Sequence, residues 1–231
     1  MVVHILSLAF TGFILYLSQP GSDLFSWHPT CMTIAFILLM LQAIVIFSPE
    51  SSLFTTTPRA EKVQLHWILH LFGVVSALFG FFSVYVNKEV NNRKHFVSWH
   101  GKFGLATVVG MLCAVLGGLL AKYAMTFRNW VKPVNMKMYH ATAGMLIFLL
   151  GMITITLANF SNWYKNRVTG WVWRTAVFVP FVLAICIMRQ VTQSYLPKVL
   201  KVKDSELDAK AKRIQERVEA KLKKEAEKKK K

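Results

Sequence analysis

Acidic residues are scarce in this chain and cysteines scarcer. Of 231 residues, 11 are Asp or Glu against 28 Lys and Arg, for a net charge of +17. Such an imbalance suits nucleic acid or an anionic membrane surface, and its placement separates the two. Residues 189–231 hold fifteen of the basic residues and seven of the acids, so the remaining 188 positions carry thirteen and four. The excess is a tail, and the body offers no nucleic-acid-binding face. Cys31, Cys113 and Cys186 stand singly in separate apolar stretches, which excludes a disulfide framework and a zinc knuckle and leaves them as small apolar filler. No hydroxyl or thiol nucleophile with an accompanying base occurs in the body, and no Gly-rich phosphate loop precedes a helix.

Charge is also missing from long runs of the chain. The sequence is 54% hydrophobic, with a mean hydropathy of +0.41. It contains six apolar stretches of the length that crosses a bilayer, at residues 3–18, 29–47, 65–86, 100–121, 138–159 and 171–188. The fold class expected is therefore all-α integral membrane, with six transmembrane helices. The first stretch lacks a basic leader, and Ser18-Gln19-Pro20-Gly21 is a poor cleavage site, so it reads as a retained helix. Turn-forming residues such as Gln19-Pro20-Gly21-Ser22 and Ser48-Pro49-Glu50-Ser51-Ser52 separate the stretches. Pro180 falls inside the sixth and should loosen it locally. No segment between the crossings is long enough for another domain, giving a membrane domain at 1–200 and a charged tail at 201–231.

Six crossings put both termini on one side. Loop charge alone does not orient them: Arg59, Lys62, Lys122, Arg128, Lys132 and Lys137 lie on the terminal side, and Lys88, Arg93, Lys94, Lys165 and Arg167 on the other. Arg189, Lys198, Lys201 and Lys203 tip the balance toward a cytosolic C-terminus. In the tail, Leu207, Ile214, Val218 and Leu222 recur at helical intervals among alternating charges. This pattern suits a solvated helix, or one resting on anionic membrane lipid. Lys228 to Lys231 resembles a dilysine retrieval signal, which suggests the endoplasmic reticulum or a vesicle membrane.

Against these absences stand four histidines. His28, His66, His100 and His140 each open one of spans two to five, and alternating direction brings His28 to His100 at one face and His66 to His140 at the other. An imidazole in hydrocarbon needs a partner. Two imidazoles facing across a bundle can hold a haem iron from both sides in a six-coordinate electron-transfer centre. Small residues lie near each histidine: Gly104 and Gly144 four positions on from His100 and His140, Ala35 and Gly73 seven on from His28 and His66. They suit either a flat macrocycle or close helix packing. The span length puts the two sites roughly 20 to 25 Å apart. A histidine-lined metal or proton transporter is the alternative, although transport sites gather near the midplane and these residues sit at the two ends.

With these residues in place, the chain resembles the cytochrome b561 family. The resemblance is carried by Phe25-Ser26-Trp27-His28-Pro29, Phe47-Ser48-Pro49-Glu50, His66-Trp67, Ser98-Trp99-His100-Gly101 with Gly104, and Tyr139-His140-Ala141-Thr142 with Gly144. It looks closest to the short ascorbate-dependent transmembrane ferric reductase branch. The resemblance implies two haem b groups in a four-helix core of spans two to five, flanked by spans one and six, and assembly as a homodimer. It also implies that His28 and His100 hold the non-cytosolic haem iron and that His66 and His140 hold the cytosolic one. Electrons would pass from cytosolic ascorbate to a ferric chelate or monodehydroascorbate across the membrane.

Ascorbate is an anion, so its site should be basic. Arg59 and Lys62 before His66, and Lys137 before His140, are the candidates, with binding of haem propionates or simple positive-inside placement as the other readings. Lys102, Arg93 and Lys94 are the corresponding cations at the other face. His95 is either a contact for the acceptor or a propionate, or an ordinary loop histidine. His70 reads as a buried hydrogen-bonding residue with a secondary capacity to ligate, and His4 has no evident partner.

Overall fold

The computed structural model describes residues 1–228; Lys229, Lys230 and Lys231 at the dilysine-like end lie outside the described residues. The described chain is helical, with no strands, and divides into two compact units, 1–191 and 192–231. In the first unit, α1 spans Val2–Ser18, α2 Trp27–Val45, α3 Arg59–Val90, α4 Trp99–Lys122, α5 Pro133–Ala158 and the single-turn α6 Asn162–Lys165. The last helix, α7, spans Gly170–Lys228. Five of these helices, α2 to α5 and the Gly170–Gln193 portion of α7, are long and apolar enough to cross a membrane, while α1 is a shorter apolar helix of 17 residues. The protein is thus a multi-pass membrane protein.

Local chemistry sets the helix ends. Gln19 closes α1 in the left-handed conformation, φ 47°, and donates its N–H to the Leu15 carbonyl. The Ser98 hydroxyl caps α4 by accepting the Gly101 N–H at 3.2 Å, and Pro133 occupies the first turn of α5, where its missing N–H costs nothing. With 32 residues, α3 is about 48 Å long, well beyond a hydrocarbon core of about 30 Å. Its charged ends, Glu61 in the first turn and Lys88 in the last, complement the helix dipole and carry the helix past the apolar stretch 65–86. α7 runs through Pro180 without a break, and that ring is fully buried.

Packing centres on α2. Ala35, Ile37, Leu41 and Ala43 are completely enclosed, whereas α3 and α4 expose residues such as Phe72, Phe82 and Leu116. Such exposed apolar faces are what a lipid environment permits. The middle of α2, Ile34–Met40, is a π-helical stretch. α2 lies along α3, and α4 lies along α5. The α2–α3 approach depends on Gly80, whose Cβ would stand 3.0 Å from Cys31 Cβ; at Gly73 a Cβ would make ordinary contact, 3.6 Å from the Ala35 carbonyl oxygen. Gly73 and Ala35 therefore lie in the helix–helix contact.

Candidate metal-binding histidine pairs

The helices bring the four histidines together in two pairs. His28, in the first turn of α2, faces His100, in the first turn of α4, with ring centres 6.0 Å apart and planes at 81°. His66 on α3 faces His140 on α5 at 6.2 Å and 88°. Alternating direction of the apolar stretches pairs the same residues. One difference concerns depth. His28 and His100 sit at their helix entrances, while His66 and His140 each lie seven residues inside, because α3 and α5 begin a turn or more before the apolar stretches.

The ring separations have a chemical meaning. With a metal–nitrogen bond of about 2.0 Å and about 1.1 Å from nitrogen to ring centre, two imidazoles on opposite sides of one metal have centres about 6.2 Å apart. Both pairs match that spacing. Among the described residues no group of three or more His, Cys, Asp or Glu side chains is arranged to hold a metal ion. A metal between either pair would thus have two protein ligands, and its other donors must arrive with it, as they do in a metallated macrocycle.

Backbone carbonyls orient three of the four rings. His28 Nδ1 donates to the Gly80 carbonyl at 3.0 Å, His66 Nδ1 to that of Ala43 at 2.8 Å, and His100 Nδ1 to that of Thr154 at 3.0 Å. With the proton fixed on Nδ1, Nε2 is left as an unprotonated donor atom, the tautomer a metal requires. The acceptors obey a register. Gly80 lies fourteen residues beyond His66 on α3, and Thr154 fourteen beyond His140 on α5. Each of these helices thus presents a histidine to one pair and a carbonyl to the other, and fourteen residues at 1.5 Å separate the two levels by about 21 Å. On α2, Ala43 lies fifteen beyond His28; the wider π turn between them takes up the added residue. Ala43 is near the helix end, where Phe47 N donates to the Ile44 carbonyl, so its oxygen is available.

A cavity of ≈ 280 Å³ adjoins the first pair. Its wall is largely apolar and includes His28, His100, Gly104, Thr107, Thr154 and Lys88. Nothing lies within 4 Å of a Cβ on Gly144, so that glycine faces open space, while a Cβ on Gly104, which lines the cavity, would make one ordinary contact, with Thr154 Cγ2 at 3.5 Å. Lys88, rather than Lys102, Arg93 or Lys94, is the cation on the cavity wall; its Nζ donates to the Lys94 carbonyl at 3.0 Å. Lys102 lies over the Trp99 ring, and Arg93 and Lys94 border a separate surface depression. His95 also lines the cavity, stacked on Tyr85 at 4.3 Å and with Nε2 2.6 Å from Glu89 Oε1.

At the other pair, Phe47 packs 5.2 Å from the His66 ring, and Arg59 lies over Phe47 at 5.8 Å, so Arg59 reaches the pair through an aromatic intermediary. Lys62 is half-buried one turn before His66, and Lys137 is exposed before His140. His70 lies 4.5 Å from His66, and the 6.2 Å opposition belongs to His66 and His140. His4 does have partners: Nδ1 is 2.8 Å from Gln42 Oε1 and Nε2 2.6 Å from the Ser51 carbonyl, which ties α1 to α2 and the following loop. Sequence reasoning could not find the Ala43, Gly80, Thr154 and Ser51 acceptors, since a backbone carbonyl leaves no mark in the residue type. It also passed over Gly117 and Gly118, which lie against the His140 ring.

Residues 27–165 match the family model described as eukaryotic cytochrome b561. The chain is similar to the transmembrane reductase CYB561D2 of Bos taurus and of Homo sapiens, at 40% identity over 195 residues in each case, covering 84% of this chain and 86% of those proteins. It is 34% identical to the probable transmembrane reductase CYB561D1 of Mus musculus over 198 residues, 86% of each chain. Similarity extends at 29% over 158 residues, 64% of this chain and 59% of the relative, to the transmembrane ascorbate-dependent reductase CYB561 of Homo sapiens.

Proposed function

Since this chain belongs to the cytochrome b561 family of haem-binding transmembrane reductases, we propose that it holds two haem b groups and transfers electrons from cytosolic ascorbate to a ferric chelate or monodehydroascorbate across the membrane. The observation that carries this reading is the presence of two opposed histidine pairs, each at the ring separation of a bis-imidazole metal, about 21 Å apart along α3 and α5. In the proposed topology, α1 to α5 and the first part of α7 form six spans, with α2 to α5 as the core and both termini in the cytosol. Residues 1–200 form the membrane domain and 201–231 the tail.

Each haem would supply a one-electron ferric/ferrous couple at its own end of the bundle. His28 and His100 hold the non-cytosolic iron, and His66 and His140 the cytosolic one. The carbonyls of Gly80, Thr154 and Ala43 keep Nε2 of His28, His100 and His66 free to ligate and strengthen it as a donor. The enclosed apolar residues of α2, Ala35, Ile37 and Leu41, lie between the two levels. Arg59, Lys62 and Lys137 supply the positive field that draws ascorbate to the cytosolic end. At the opposite mouth His95, held by Glu89 and Tyr85, meets the acceptor.

Pairwise replacement tests the reading. His28→Ala and His100→Ala should each abolish the same haem signal and leave the other reducible, and His66→Ala and His140→Ala should abolish the complementary one. Loss of one shared signal in His28→Ala and His66→Ala would refute the assignment.

A further inference from the structure

Three of the four rings have a carbonyl for Nδ1; His140 does not. Its Nδ1 is buried and has no hydrogen-bond partner. The ring instead lies against bare backbone of α4. A Cβ on Gly118 would stand 3.1 Å from His140 Cε1 and 3.6 Å from Nε2, and one on Gly117 3.7 Å from Nδ1.

We propose that Gly118, with Gly117 beside it, is the positioning element for His140: contact with side-chain-free helix sets the tilt of this ring, as a hydrogen bond sets the tilt of each of the others. The inference rests on reading His66 and His140 as a haem-holding pair. It makes the two centres unequal. An Nδ1–H···O=C bond restrains ring rotation and raises the donor strength of Nε2. His28 and His100 both have one, so their centre is symmetric; His66 has one and His140 lacks it, so theirs is not. A ring held by contact moves when its contact surface moves. A methyl group at Gly118 would sit inside the ordinary carbon–carbon contact of about 3.5 Å, so either the ring or α4 must yield by a few tenths of an ångström.

Gly110 provides a matched control on the same helix. Its Cβ would be equally crowded, 3.2 Å from Ile147 Cγ1, but against a side chain that meets no metal. Gly118→Ala, Gly117→Ala and Gly110→Ala are purified as full chains in lipid nanodiscs. Low-temperature electron paramagnetic resonance of the ferric form is recorded, together with a redox titration. The wild type should give two low-spin signals. Gly118→Ala should shift the principal g value and midpoint of one of them, the signal that His140→Ala removes, and leave the other in place. Gly117→Ala, at 3.7 Å, should shift that same signal by less, and Gly110→Ala neither. The inference is overturned if Gly118→Ala leaves both signals unchanged, or if Gly110→Ala shifts the His140 signal as far. Should Gly118→Ala not fold, an unshifted Gly117→Ala signal overturns it. A wild-type protein without two b-type signals would refute the haem reading itself, and that result is seen before any variant is made.

Discussion

Replacement of Gly80 by alanine tests how closely the α2–α3 contact is coupled to the first histidine pair. The added methyl carbon would lie 3.0 Å from Cys31 Cβ and 3.4 Å from both the His28 carbonyl oxygen and the Met32 nitrogen. Two of these neighbours are backbone, so no rotamer change relieves them and α2 must move away from α3. Overpacking of this kind costs about 1–3 kcal/mol. The Gly80 carbonyl is also the acceptor that orients His28, at 3.0 Å, so the displacement acts on a proposed ligand as well as on packing. If the whole cost falls on binding, affinity at that centre drops roughly 5- to 150-fold. Haem per chain and Soret-monitored thermal unfolding are the assays, with Cys31→Gly as a partial suppressor. Gly12→Ala is the control, since nothing lies within 4 Å of its added carbon. Retention of both haems at wild-type stability in Gly80→Ala would refute the coupling.

Lys62→Ala combined with Lys137→Ala should slow ascorbate reduction by roughly tenfold at low ionic strength, less in high salt, with haem content unchanged; an unaltered stopped-flow rate rejects their role. Tyr164, outside the spans, has its phenol pushed up to about 12 by burial, and its hydroxyl has no partner. Its folded pKa lies above the unfolded value of about 10, so the associated stability is complete below pH ~10 and lost as pH rises toward ~12. Tyr164→Phe should flatten that alkaline loss in unfolding measured across the range, and at neutral pH should be neutral or stabilising by about 1 kcal/mol, because no hydrogen bond is lost.

Five of the six expected spans and the facing of the four histidine rings were legible in the sequence for a simple reason. Hydrophobic length and the alternation of direction are both one-dimensional properties, and His28, His66, His100 and His140 lie at the starts of the apolar stretches that these properties locate. Depth was less legible, because Arg59, Glu61 and Lys62 end the apolar run yet continue α3 as good helix formers. The carbonyls of Ala43, Gly80 and Thr154 could not be read at all, since every residue has one and only the fourteen-residue register and the π stretch of α2 select these three. Gly73 and Gly104 look alike in sequence. One packs against Ala35 and the other opens onto a cavity, a difference set by which helix lies opposite. His4 and Gln42 are 38 residues apart, a pairing that no periodicity reveals.

The central claim is that each histidine pair closes on a haem. Its most direct measurement is the haem content of the purified full chain together with the visible spectrum before and after ascorbate. Two low-spin b-type haems per chain, both reduced by ascorbate, are predicted. A chain that folds in lipid but carries no haem, or only one, would contradict the account.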